Sequence, residues 1–144
     1  MAELDLREHY VVAMRKGHPA AERFDLDHWL AHPHVLFPGC GHRAGPLHEA
    51  LAGSGRERRI GMVVPAFSIV PKLLESSDLV AILSSRCIPA EEQASLEVFD
   101  ATLPVDGFLL HLAWHERADG DRGTRHVTGI LRRPPAGSSP PEKL

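Results

Sequence analysis

Four side chains able to ligate a metal, His32, His34, Cys40 and His42, fall within eleven residues. Cys40 stands in the Gly-rich run Gly39-Cys40-Gly41-His42, just ahead of a helical segment. A thiol placed at a helix N-terminus beside an imidazole is shifted toward thiolate, so thiol chemistry and metal ligation are the two chemistries to weigh here. Neither has the rest of its apparatus. No CxxC or HExxH spacing is present, His32 and His34 flank Pro33 at the start of a strand, and no third residue is placed to orient a Cys40–His42 pair. No GKS or GKT follows the glycines, so the run is not a phosphate loop. The ten histidines are otherwise scattered, and His111 and His115 are read as sharing one face of the last strand. The expectation is therefore no catalytic residue, no metal, no cofactor and no enzyme.

The stretch RRIGMVVPAFSIVPKLLESSDLVAILSSR, Arg58 to Arg86, carries more information. Ile60–Val64 reads as a buried strand, Phe67–Leu74 as a helix with Phe67, Val70 and Leu74 on one side, and Leu79–Leu83 as a second buried strand. Pro71 fits the helix if Ser68 is its N-cap, because the N–H missing from proline is unpaired in a first turn anyway. Phe67 is placed in the core. This is one βαβ unit, and small ligands bind where a strand end turns into a helix N-terminus.

The remaining elements fit the same plan. Tyr10–Met14 is a strand, ended by Gly17 and Pro19. Asp25 caps a short helix through Leu30, with Leu26, Trp29 and Leu30 on one face. His34–Phe37 is a strand, Pro46–Ala52 a helix ended by Gly53 and Gly55, Cys87–Gln93 a helical turn and Leu96–Phe99 a strand. Gly107–Trp114 is a long apolar strand, Gly120–Arg133 a terminal helix weakened by Gly123 and Gly129, and Pro134–Leu144 a disordered tail. Met1 leads into the first strand through a polar segment. Strands alternating with short helices predict an α/β fold of about five strands, a mostly parallel mixed sheet with helices on both faces.

Composition sets the outer limits. The chain has 144 residues, 43% hydrophobic and 24% charged, enough for a single core. Its formal charge is −3, and 13 arginines are offset by 19 acidic residues, so no basic face for a polyanion is expected. Arg56, Arg58 and Arg59 are read as a solvated strand start. Two cysteines, Cys40 and Cys87, suit free thiols in a reducing cytoplasm, and no apolar run reaches the ~18 residues of a membrane span.

Four blocks, YVVAMRKGHPA (Tyr10–Ala20), HPHVLFPGCGHRAGPLHEAL (His32–Leu51), the Arg58–Arg86 stretch and LHLAWHERADGD (Leu110–Asp121), resemble the C-terminal effector-binding domain of LysR-type transcriptional regulators. The order VP-x-F, a spacer, SDLVA and then WH-x-R carries the likeness, which runs from about Tyr10 to Leu131. It is closest in flavour to the branch answering nodulation flavonoids and small aromatic acids. The resemblance implies a type 2 periplasmic-binding-protein-like domain of two lobes joined by crossing strands. On that basis residues 1–15 are a remnant of the first lobe with a crossover strand, 16–107 the second lobe, 108–133 the return strand and terminal helix, and 134–144 a tail. The crossings imply hinge residues at Met14, Arg15, Leu109 and Leu110.

The resemblance also implies an effector site in the cleft between lobes. One wall would come from Pro38, Gly39, Cys40 and Gly41 and from Pro65, Ala66, Phe67 and Ser68. Both turns precede a helix, so free backbone N–H groups would suit a carboxylate or phenolate. Ala66 stands where many aromatic-acid responders carry His, His48 where Asp is usual, and Ser84-Ser85 replaces a proline-containing turn. The expected function is allosteric sensing of a small organic or aromatic acid, by a chain that lacks the helix-turn-helix and does not bind DNA alone. The implied partners are that effector and either a second copy or a full-length LysR-type regulator, with no membrane. The chain is read as a truncated gene product or a short natural reading frame. Uncovered Val11, Val12, Leu109 and Leu112 are expected to favour a homodimer, and a stand-alone interaction module is the alternative.

Overall fold

The computed structural model describes residues 2–36, 46–103 and 105–133. They form two compact units. One runs from Glu8 to Gly107, and the other joins the N-terminal residues through Arg7 to the chain from Phe108 onward.

The Glu8–Gly107 unit is built on a five-stranded sheet. Its strands are β2 (Tyr10–Arg15), β3 (His34–Leu36), β4 (Ile60–Val63), β5 (Val80–Ser84) and β6 (Leu96–Asp100), in the order β4-β3-β5-β2-β6. β3 runs parallel to β4 and β5, whereas β2 is antiparallel to both β5 and β6. The period-2 alternation of β2 and β5 divides the core. Val11, Ala13, Ala81 and Leu83 face α3 (Val70–Glu75), packing with Val70, Leu74, Ile88 and Leu96. Val12, Met14, Val80 and Ile82 face α1 (Leu26–Leu30) and α2 (Pro46–Gly53), packing with Trp29, Leu47 and Leu51. The expected mixed sheet with helices on both faces is thus present, but it is not mostly parallel: two of its four pairings, both made by β2, are antiparallel. Asp25 caps α1 as its sequence suggests, its carboxylate accepting the His28 backbone N–H at 2.9 Å.

The other unit is smaller. β1 (Ala2–Glu8) and β7 (Phe108–Leu112) form a two-stranded sheet, and α5 (Arg122–Leu131) starts at an Asp121 cap that accepts the Thr124 N–H at 2.6 Å. α4 (Ala90–Gln93) completes the helices among the described residues. Where a polar lead-in is expected, the chain forms β1. Leu4 and Leu6 alternate with charged residues there, a strand signal hidden by overall polarity.

Several expectations are corrected. Val11 and Val12 are buried, because β2 is an interior strand rather than an uncovered one. β4 lies at the sheet edge, so Ile60, Met62 and Val63 are exposed and only the following Val64 enters the core. The last strand stops at Leu112. His115 lies beyond it and caps a 3-10 turn by accepting the Arg117 N–H at 3.1 Å, so it does not share a strand face with His111. Arg56 is paired with Asp27, and burial pulls the Arg58 guanidinium below its ordinary range. The Pro134–Leu144 tail lies outside the described residues.

Gly107 closes the larger unit. A Cβ there would overlap the Glu8 carbonyl oxygen, so the two segments by which the chain passes between units touch at this point. Gly107→Ala is expected to lower the unfolding free energy by about 1–3 kcal/mol in urea titration, because the clash is with backbone that cannot rotate away.

Candidate functional site

The parallel strands β3, β4 and β5 end on the same side of the sheet. Because β2 is antiparallel with Tyr10 opposite Ser84, and β6 brings Asp100 opposite Val11, the segment before β2 and the end of β6 also arrive there. Ligands in open α/β sheets bind beyond the carboxyl ends of the strands.

The second expected turn lies at this end. Pro65 and Ala66 follow β4, and Phe67–Ile69 form a 3-10 turn with Ala66 in the N-cap position. α3 starts only at Val70, capped by Ile69 with Pro71 in the first turn. Ser68 is therefore inside the 3-10 turn and is not the helix cap. Phe67 is 46% exposed rather than in the core, since the tighter turn rotates it off the Val70–Leu74 face. The change leaves an aromatic ring at the surface beside the strand ends. Pro38, Gly39, Cys40 and Gly41, with His42, lie outside the described residues.

A second cluster at this end was not expected. The Glu8 carboxylate has only 2% of its side chain exposed, and its Oε1 lies 2.5 Å from Arg86 Nε. Ser84 Oγ donates to Glu8 Oε2. Next to them Ser85 N–H donates to the His9 carbonyl at 3.0 Å, His9 Nδ1 and Ser85 Oγ are 3.4 Å apart, and His9 Nε2 lies 3.8 Å from an Asp100 carboxylate oxygen. The Ser84-Ser85 pair was legible as a departure at a strand end. Its partner was not, because 76 residues separate Ser84 from Glu8.

A different polar group occupies the opposite end. Arg15 Nε donates to Asp78 at 2.8 Å and pulls that carboxyl below its ordinary range. His18 is fully buried, its Nδ1 accepting the Ala20 N–H at 3.0 Å and its Nε2 lying 3.1 Å from the Asp78 carbonyl, and the His32 ring packs edge-on to it at 4.4 Å. Backbone contacts occupy both ring nitrogens of His18, and among the described residues no three metal-capable side chains converge. Met14 and Arg15 sit at this end of β2, whereas the unit boundary falls at Arg7–Glu8 and Gly107–Phe108. Leu109 and Leu110 lie in β7, just past it.

The chain matches the LysR substrate binding domain model over residues 2–134. It is 30% identical to the HTH-type transcriptional activator NagR of Ralstonia sp. over 121 residues, covering 81% of this chain and 40% of NagR. It is 27% identical to Nodulation protein D of Azorhizobium caulinodans over 122 residues, 83% of this chain and 39% of that protein. The chain thus spans about two-fifths of these relatives. The regulatory domain of MexT, a transcriptional activator in Pseudomonas aeruginosa, superposes with a TM-score of 0.73 at 25% identity, over 92% of this chain and 64% of that one. The effector binding domain of QuiR in complex with shikimate superposes at 0.70 with 14% identity, over 90% and 62%, and shows the shared fold. The match covers nearly the whole chain and describes a substrate-binding domain of transcription regulators, not an enzyme: this chain belongs to the LysR substrate-binding domain family.

Proposed function

We propose that this chain is an effector-sensing module of a LysR-type transcriptional regulator, responding to a small organic or aromatic acid in the cytoplasm. The observation that carries the reading is the gathering of the Pro65–Ser68 turn and the Glu8–Ser84–Arg86 cluster at one end of the sheet, in a chain of this family. The effector site would include Pro65, Ala66, Phe67 and Ser68, and on the family resemblance also Pro38, Gly39, Cys40 and Gly41. Shikimate, named with the QuiR domain, is itself a hydroxylated carboxylate. Binding would act by favouring one arrangement of the effector domain over another, which changes how a dimer presents its DNA-reading parts. The pivot would lie at the two chain crossings, with Met14 and Arg15 on the first and Leu109 and Leu110 on the second.

Thermal-shift screening against organic acids, phenols and flavonoids tests this. A dose-dependent rise in melting temperature is expected for a ligand that binds only the folded chain, reflecting about 2.7 kcal/mol of stabilisation at a hundredfold excess over Kd. A cooperatively folded chain that no compound stabilises would sink the sensor reading.

The edge of β4, unpaired among the described residues, favours a second reading alongside it, pairing with another chain. Ile60, Met62 and Val63 stand exposed on an edge strand, with Val63 59% exposed, and such edges invite a partner. That partner would be a second copy or a full-length regulator, with no DNA bound by this chain alone. Light scattering is expected to show a dimer, and Met62→Asp with Val63→Asp to shift it to monomer. A monomer at high concentration that also fails to co-purify with a LysR-type regulator would remove the pairing.

A further inference from the structure

We infer that Arg86 is the residue that recognises the ligand's carboxylate, and that it does so while shared with the buried Glu8. This rests on the effector-sensing reading and assigns it a specific anchor. Arg86 follows the carboxyl end of β5, where ligands collect in sheets of this type. Glu8 Oε1 is charge-paired with Arg86, 2.5 Å from Nε but without a hydrogen bond, and Ser84 Oγ donates to Glu8 Oε2. A carboxylate with 2% of its side chain exposed must keep a cation beside it, so the guanidinium is fixed in place and not free to wander as a surface arginine does. The side chain is nevertheless 46% exposed. A guanidinium carries five donors, and Glu8 Oε1 takes none of them as a hydrogen bond, so the two Nη groups remain as a planar fork matched to a carboxylate.

The sharing has a mechanical consequence. Two carboxylates on one guanidinium repel each other, so a ligand acid weakens the hold on Glu8, and by reciprocity Glu8 weakens the hold on the ligand. Glu8 is the first residue of the larger unit, and its carbonyl is packed against Gly107, the last. An acid arriving at Arg86 therefore acts on the place where both chain crossings meet.

The test is titration of the intact chain with benzoate and with its neutral isostere benzamide, followed by calorimetry and thermal shift. Losing a hydrogen-bonded charge partner should weaken benzoate more than about tenfold in Arg86→Gln, with benzamide binding unchanged. Arg86→Lys should rescue little, because a point cation lacks the fork. Glu8→Gln should bind benzoate several-fold tighter, since the carboxylate that competes for the guanidinium is gone. Circular dichroism and melting temperature identify any variant that fails to fold, and the Lys variant preserves the charge if the Gln variant does not fold. Benzoate binding that is equal in wild type, Arg86→Gln and Arg86→Lys would overturn the assignment and leave the sensor reading standing. Equal benzoate affinity in wild type and Glu8→Gln would overturn the sharing. Stabilisation by benzamide alone would overturn acid recognition at Arg86 but not ligand sensing, and no binding of either probe would count against both.

Discussion

Trp29→Ala is expected to lower the unfolding free energy by about 3–5 kcal/mol, the range for removing a buried large aromatic. Trp29 is fully buried and is the largest such side chain among the described residues, packed with Met14, Leu47, Leu51 and Val80 on the α1–α2 face. Its indole N–H donates to Thr102 Oγ1 at 3.0 Å, which ties α1 to the segment after β6. Small domains retain only about 5–15 kcal/mol in total, so this single loss removes a large share. Urea denaturation followed by circular dichroism measures it. Trp29→Phe should cost distinctly less, because the ring volume largely remains and only the indole donor is lost. Equal midpoints for wild type and Trp29→Ala would mean that this face of the core does not hold the unit together.

The second large effect is in acid. His34 is fully buried at the start of β3, with Nε2 3.2 Å from the Trp29 carbonyl and Nδ1 without a hydrogen-bond partner. Burial pulls its pKa down to about 4, only partly opposed by the carbonyl contact, with Arg58 and His32 adding repulsion. An unfolded chain takes up this proton near the ordinary histidine value of about 6.5. Above that pH the ring is neutral in both states and its contribution is complete. As pH falls from about 6.5 through about 4 the unfolded chain gains a proton that the folded chain refuses, so stability drops, by about 3 kcal/mol in all. Burial and the neighbouring His18 lower His32 in the same direction. Unfolding free energies measured from pH 8 to pH 4 should show this acid limb, and His34→Gln, which keeps a donor toward the Trp29 carbonyl without titrating, should flatten it. An acid limb of unchanged slope in that variant would assign the loss to other groups.

Much of this architecture was readable from local pattern. β2, β3, β5, β6, α1, α2 and α5 begin within a residue or two of where periodicity and capping put them, because apolar alternation and an Asp cap are local statements about one segment, whereas α3 and α4 each start three residues late, behind a 3-10 turn. The family was readable for a similar reason, since ordered blocks such as VP-x-F and SDLVA keep their spacing whatever the chain around them does. The Pro65–Ser68 turn was found because a turn between a strand and a helix is visible in one dimension.

What local pattern did not supply is which strand is interior and which is edge. IGMVV reads as buried, yet β4 takes the edge and exposes Ile60, Met62 and Val63, while the equally apolar β2 occupies the interior. Both runs are apolar, and only the order of strands distinguishes them. Likewise Phe67 belongs to the helix by periodicity, but a single 3-10 turn before Val70 moves it to the surface.

The Glu8–Ser84–Arg86 cluster marks the clearest division. The residue types, the α/β class, the family and the strand–turn–helix segments are properties of short stretches, and the amino-acid order alone specifies them. The pairing of Glu8 with residues more than seventy positions away follows from the antiparallel register of β2 against β5, with Tyr10 opposite Ser84. A register shift of one residue would turn every side chain of β2 to the other face. Two-sided burial of β2 and β5 prevents that slip, and so it is the folded core, not any motif, that delivers a carboxylate to Arg86 at the end of the sheet.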